Sequence, residues 1–170
     1  IKYDNRFMHM FVPEGVEREY TKSLAPPTRE ARNGYDTKKT QVIGIRQIGE
    51  AWDRPFIAVF EPSLNSNSSV QSVRPLMMDD KVVGAIVVSK VSDSSITDYI
   101  ISLDNPDETY TNDTLGLEFT GRFGIVRVEK SPMRTSKSLY IGEGKKLSFQ
   151  DDILKSDHQN KGFKTIELKN

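Results

Sequence analysis

The chain of 170 residues contains no cysteine and only two histidines, His9 and His158, which are separated by nearly the whole sequence. The absence of cysteine excludes a disulfide scaffold and a zinc site built from thiolates. No His-x-His or His-Glu-x-x-His spacing is present, and the nucleophile elbow, the P-loop and the dinucleotide-binding glycine motif are missing as well. The sequence therefore predicts no catalytic residue, no metal site and no cofactor in this chain.

Excess charge of either sign is also lacking, because 24 basic residues balance 24 acidic ones and the isoelectric point is near 7.0. Nucleic-acid-binding domains usually carry a basic stripe, so nucleic acid is not an expected partner. No apolar run approaches the ~18 residues that a membrane-spanning helix needs, so a membrane is not an expected partner. The first residues have no signal-peptide pattern, and their abrupt start indicates a piece cut from a larger protein.

Helical periodicity is absent too, whereas short apolar runs bounded by turn residues recur along the whole chain. This pattern predicts an all-β fold, an antiparallel β-sandwich of about ten short strands. Two unbroken runs, 56–60 and 82–88, indicate inner strands that are buried on both faces. The other predicted strands are 6–12, 42–48, 99–103, 115–119, 122–128, 139–141, 147–149 and 163–168.

Glycine-containing segments between these strands predict tight turns. Thr120-Gly121 predicts a hairpin, with Phe119 and Ile125 packed in the core on either side of it. The segment 142–144 (Gly-Glu-Gly) predicts a second turn, since glycine adopts positive φ readily. One helical turn is expected within 151–158.

We expect residues 1–170 to form one domain with an irregular arm over 13–39, which holds adjacent prolines, few apolar residues and many charges. Within the arm, Arg29 and Arg32 offer guanidinium groups that recognise carboxylates or sulfates, and Tyr35 offers a ring for a sugar. These three residues are the predicted substrate-binding residues. The alternative is an ordinary surface loop, because neighbouring acidic residues neutralise much of its charge: Glu14, Glu17, Glu19, Glu30 and Asp36.

Other candidate groups each have a plainer explanation. Asp53 and Glu61 flank the 56–60 run and could form a carboxylate pair for glycoside hydrolysis, but carboxylates at strand ends are often solvated. The acidic segment 104–113 offers oxygen ligands for calcium, although its spacing matches no EF-hand and suits a turn. A lone strand histidine such as His9 is more often structural than catalytic, and His158 lies in a polar segment.

Four stretches resemble the C-terminal β-sandwich part of the heparinase II/III-like polysaccharide lyases. They are Arg6–Pro13 (RFMHMFVP), Arg54–Pro62 (RPFIAVFEP), Gly121–Arg127 (GRFGIVR) and Leu139–Gly144 (LYIGEG). The resemblance implies an exported, periplasmic or extracellular bacterial enzyme with an upstream helical toroid domain. Enzymes of that family cleave uronic-acid-containing polysaccharides by β-elimination. The metal-binding His-x-His of the family is missing here, so a metal ion would belong to the parent enzyme, with His9 at most completing its site.

The resemblance thus implies a non-catalytic C-terminal β-sandwich that supports the catalytic domain and lines one edge of its cleft. Acidic polysaccharide would be a partner only through the parent enzyme, and the isolated chain is expected to show no lyase turnover. A stand-alone carbohydrate-binding or cell-surface adhesion module is the main alternative. Such modules usually present a row of aromatic rings, whereas this chain has the single tryptophan Trp52. A structural spacer is a third interpretation.

Overall fold

The computed structural model describes residues 2–3, 5–15, 17–25, 39–156 and 162–169, and it assigns thirteen strands and no helix among them. The paired strands are antiparallel throughout, which confirms the predicted all-β antiparallel fold and is consistent with a β-sandwich. None of these residues belongs to a helix long and apolar enough to span a membrane. The strands are β1 (Lys2–Tyr3), β2 (Arg6–Phe11), β3 (Arg18–Ala25), β4 (Thr40–Gln47), β5 (Val59–Ser63), β6 (Val70–Met78), β7 (Lys81–Val91), β8 (Ser94–Ser102), β9 (Thr109–Asn112), β10 (Leu117–Lys130), β11 (Arg134–Phe149), β12 (Asp152–Lys155) and β13 (Gly162–Lys169).

The chain divides into two compact units. The core unit comprises Ile1–Gly15 and Ala51–Asn170, and the hairpin unit comprises Val16–Glu50. In the hairpin unit β3 pairs with β4 over their whole length. The predicted irregular arm is therefore wrong over 18–25. The sequence of β3 is polar and does not by itself predict a strand, but pairing with β4, which is rich in β-branched residues, holds it extended. The single-domain assignment stays a prediction.

The core unit contains a large sheet of order β12-β11-β10-β8-β7-β6, with β13 also paired to β11 and β9 to β10. A small sheet of order β1-β2-β5 packs against one face of it. Phe11 and Val59 of the small sheet contact a cluster built on Val73, Ala85 and Val87 of β6 and β7. Two sheets enclosing apolar side chains between them are the defining feature of a sandwich.

Strand β7 lies between β6 and β8, which confirms the predicted inner strand over 82–88. The same prediction for 56–60 is wrong. Residues 56–58 precede the strand, β5 begins at Val59, and β5 is an edge strand whose Phe60 is exposed. An unbroken apolar run does not distinguish a strand covered on both faces from a segment that covers a neighbour on one side only.

The long hairpin β10–β11 folds over on itself. Lys137 of β11 donates a hydrogen bond from Nζ to Oε1 of Gln150, just beyond the end of the same strand, at 2.7 Å. A straight strand would separate these residues by ~43 Å. Register irregularities at Thr120/Gly121, Gly121/Phe123 and Phe123/Gly124 mark the place where the hairpin bends.

Gly121 and Gly144 face each other at this bend, and a Cβ on Gly121 would lie 2.4 Å from the Gly144 Cα. The turns predicted at 120–121 and 142–144 are therefore wrong, because β10 and β11 run through both positions. Glycine is needed here because two backbones approach each other closely. In the sequence, a glycine needed for that reason looks the same as a glycine in a turn.

Leu117 and Phe119, before the bend, share one core with Val126 and Leu139 beyond it. Phe119 is fully buried, as predicted, whereas Ile125 is only half-buried and lies on the opposite face, so its predicted core position is wrong. The helical turn predicted within 151–158 is also wrong in its described part, where 152–155 form β12.

Candidate binding surfaces

The predicted substrate-binding residues Arg29, Arg32 and Tyr35 lie outside the described residues, as does His158. Their assignment stays a prediction. The remaining candidates lie in the core unit, where the structure gives each of them specific partners.

His9 and Glu61 face each other across β2 and β5. The His9 ring stacks on Phe7 with centroids 6.1 Å apart, and its Nε2 lies 3.2 Å from the carbonyl oxygen of Asn65. Glu61 accepts hydrogen bonds from the Ser69 backbone N–H at 2.9 Å, from the Ser69 hydroxyl at 2.7 Å and from the Ser68 hydroxyl. These contacts fasten the loop 64–69 to the small sheet.

The electrostatics of Glu61 support a structural role. Partial burial favours the neutral form, but the hydrogen bonds from Ser68 and Ser69, aided by the charge of His9, outweigh it and lower the pKa of Glu61 to about 2. A general acid in glycoside hydrolysis needs a raised pKa, so this carboxylate is unsuited to that task. Asp53 lies in a turn, and its carbonyl accepts a hydrogen bond from Val82 N–H at 2.7 Å.

The acidic segment 104–113 contains turns, strand β9 and two ion-paired aspartates. Asp104 pairs with Lys81 at 2.9 Å, Asp107 pairs with Lys145 at 2.6 Å, and the Asn105 side chain accepts from the Asp107 N–H at 3.0 Å. In the described ranges, no group of three or more histidine or acidic side chains is placed to hold a metal ion.

An apolar ladder crosses the large sheet on the face that the small sheet partly covers. Its members face one another in register from strand to strand: Ala85, Ile100, Ile125, Tyr140 and Phe163. Directly paired residues share a face, so the ladder begins under the small sheet and continues beyond it. The side chains become more exposed along the ladder, from the buried Ala85 to Phe163, which is 69% exposed.

We call the uncovered part of this surface the open face; it is the wall of a shallow cavity of about 380 Å³ lined by Asp98, Ile100, Ile125, Arg127, Ser138, Tyr140 and Phe163. Arg127 donates to Asp98 through two hydrogen bonds, of 2.7 and 2.9 Å, and this pairing raises the pKa of the guanidinium. An exposed apolar patch that is bordered by polar side chains is typical of a surface that contacts another macromolecule.

A second cavity, the Trp52 cleft, has a volume of about 310 Å³ and lies at the β7–β8 side of the core unit. Trp52 is 78% exposed and Phe56 is 49% exposed, and both contribute to its wall. The ion pair between Lys81 and Asp104 contributes to the same lining. Aromatic surface with a few polar groups describes a small-ligand site.

Sequence reasoning missed both surfaces. The open face depends on strand register, which placed Ile125 in line with Tyr140 although nothing local in the sequence links them. Trp52 was visible as the single tryptophan, but its proximity to Lys81 and Asp104 requires the pairing of separate strands and loops.

Comparisons with known proteins agree with the fold. The family profile described as the endo-acting ulvan lyase C-terminal domain matches residues 70–166, which include most of the large sheet. The chain is 59% identical over 166 residues to an endo-acting ulvan lyase of Formosa agariphila, covering 98% of the chain and 20% of that relative. The chain thus spans about a fifth of the relative's length. No solved structure matches significantly. The predicted relationship to the C-terminal part of a polysaccharide lyase is confirmed.

Proposed function

Because the chain belongs to the family of endo-acting ulvan lyase C-terminal domains, we propose that it is the non-catalytic C-terminal β domain of an exported bacterial polysaccharide lyase. The parent enzyme acts on a uronic-acid-containing glycan, with ulvan as the first candidate because the relative carries that name. Its upstream part is a helical toroid of the heparinase II/III-like kind, and a metal ion, where the parent uses one, is held there. The domain stabilises that upstream part.

The open face is the observation that carries this proposal. It lies within the residues matched by the family profile, and it combines exposed apolar side chains with the Arg127–Asp98 ion pair. We assign the upstream part of the parent lyase as its occupant, since the F. agariphila relative is about five times as long as the aligned segment. Burying Tyr140 and Phe163 there would stabilise both partners by removing apolar surface from water.

Elimination from a uronate requires neutralisation of the carboxylate and a base for the C5 proton. Of the two candidate groups, Glu61 is committed to Ser68 and Ser69 and His9 lies against Phe7 and Asn65, so neither suits the role of that base. The chain alone should therefore give no rise in unsaturated-uronate absorbance with ulvan. A sustained rise that disappears in a His9→Ala variant would contradict the non-catalytic assignment.

The docking test uses Phe163→Asp in a full-length lyase that contains this chain, with Met133→Asp as the matched control. Met133 is 83% exposed, lies in the β10–β11 turn and does not line the open face. Neither change should alter the melting temperature of the isolated chain, because both side chains are exposed. In the full enzyme, Phe163→Asp should lower the melting temperature and Met133→Asp should not. Equal behaviour of the two full-length variants would contradict docking through the open face.

The segment 13–39 supplies a further part of the proposal, in which Arg29, Arg32 and Tyr35 line one edge of the parent's cleft. Arg29→Ala combined with Arg32→Ala should raise the KM of the full-length lyase and reduce its dependence on salt, because two charge contacts to the glycan are lost. Kinetics equal to wild type would show that Arg29 and Arg32 do not contact the glycan.

A further inference from the structure

Trp52 is the single tryptophan of the chain, and its exposure is unusual for so large an apolar side chain. The turn that carries it is fixed to the large sheet by the hydrogen bond from Val82 N–H to the Asp53 carbonyl, 2.7 Å long. Phe56 lines the same cleft from the other end of the 51–56 segment. Trp52 therefore offers a positioned, open aromatic surface.

The charged residues of the cleft lining are Lys81 and Asp104, whose side chains are 28% and 80% exposed. The backbone of Asp104 is also held in place, because its carbonyl oxygen accepts a hydrogen bond from Arg122 Nε at 3.2 Å. An ammonium group with three donors next to a carboxylate that only accepts can bind the two hydroxyl groups of a vicinal diol. Hydrogen bonds to charged groups are the stronger kind.

The cleft is not an anion site. The hydrogen bond to Asp104 raises the pKa of Lys81 against the opposing effect of burial, and the charges of Asp104, Glu108 and Asp53 raise it further. Among the residues that line the cleft, Lys81 is the single cation, and its ammonium group is paired with the Asp104 carboxylate at 2.9 Å, so no unpaired positive charge is available there for a sugar carboxylate or sulfate. The ligand that suits this environment is uncharged where it enters the cleft.

We propose that the Trp52 cleft binds a neutral pyranose unit of a polysaccharide, with an apolar C–H face of the sugar on the Trp52 ring and two hydroxyls on Lys81 Nζ and the Asp104 carboxylate. The site holds the domain on the polymer without contacting its charged groups. The choice of ulvan as the polymer rests on the proposed function, whereas the chemistry of the cleft does not.

The experiment measures binding of two polymers to the 170-residue chain: ulvan, and ulvan whose uronate carboxyls have been reduced to alcohols. Trp52 fluorescence reports directly on the cleft, because no other tryptophan contributes. We expect both polymers to change the emission, with affinities that agree within about threefold and vary little between 50 mM and 500 mM salt.

Variants are compared by calorimetry, after circular dichroism has shown that each is folded. Trp52→Ala and Asp104→Asn should each weaken binding roughly tenfold or more, and Trp52→Phe should retain part of the affinity. Phe60→Ala is the matched control, since Phe60 is an exposed aromatic residue of β5 that does not line the cleft. It should bind like wild type.

Binding of native ulvan alone, abolished by salt and unchanged in Trp52→Ala, would overturn the inference. So would the absence of any emission change with both polymers. Neither result bears on docking, which is measured by the melting temperature of the full-length Phe163→Asp lyase. Conversely, a cleft that binds both polymers stands even if that variant proves neutral.

Discussion

The rings of Tyr99 and Phe149 pack with their centroids 5.3 Å apart, although they belong to opposite halves of the large sheet. Tyr99 faces Val126, which in turn faces Leu139, and a straight β11 would carry Phe149 ~33 Å beyond Leu139. The contact exists because the β10–β11 hairpin bends at its glycines. The two halves of one hairpin thereby enclose a single core.

Gly144→Ala should destabilise the chain by ~1–3 kcal/mol, because overpacking at the bend cannot be relieved by rotating a side chain. A Cβ at Gly144 would lie 2.7 Å from the Thr120 carbonyl oxygen and 3.0 Å from the Gly121 Cα. Gly162→Ala is the control, since its Cβ would meet only the flexible Leu154 side chain, at 3.2 Å. Urea denaturation compares the two variants, and equal midpoints would contradict a close-approach role for Gly144.

Phe119→Ala should cost ~3–5 kcal/mol, because its ring is fully buried and no neighbour can fill the space. Ile125→Ala should cost only about 1 kcal/mol, since Ile125 is half-buried on the open face. Free energies of unfolding from urea titrations test the pair. Equal losses would place Ile125 in the core after all.

Glu61 should make stability depend on pH at acidic values. Its pKa falls from the ordinary 4.5 to about 2 on folding, so the carboxylate stabilises the fold fully above pH 4.5 and loses that effect as the pH falls through 2. Glu61→Gln should lower stability by about 1–2 kcal/mol at pH 7 and by progressively less below pH 4.5. Denaturation at a series of pH values measures this difference.

If the difference in the free energy of unfolding between wild type and Glu61→Gln stays constant down to pH 2.5, the carboxylate is not stabilised by folding. Ser69→Ala provides a second check, because it removes the hydroxyl that donates to Glu61 at 2.7 Å. That variant should show part of the same loss at neutral pH, and the same convergence with wild type in acid.

The pattern of apolar and polar residues correctly predicted the buried positions and the inner strand that follow from local sequence. Leu117 and Phe119 alternate with polar neighbours and are buried, and the run 82–88 is an inner strand. Glycine misled the prediction at 121 and 144, because turns and close backbone approach favour the same residue. The polar strand β3 was missed because its extended structure comes from its partner β4.

Neither candidate surface was accessible to sequence reasoning. The open face joins residues of four strands, and only the register reveals that Ile125 continues a line from Ile100 to Tyr140. The Trp52 cleft joins a turn before β5 to the ends of β7 and β8. Local patterns specify which strands form, but the choice of neighbours depends on contacts between distant parts of the chain.

The pairing of β2 with β5 makes the hairpin unit an exchangeable module. Phe11 and Val59 face each other across that pair, while the chain between them contains the whole of Val16–Glu50. The hairpin unit is thus an insertion in the chain between two paired strands of the small sheet. Such an insertion can be lengthened, replaced or changed in charge while the β-sandwich keeps its strand order. The length and charge of the hairpin unit can therefore diverge among relatives without a change in the core.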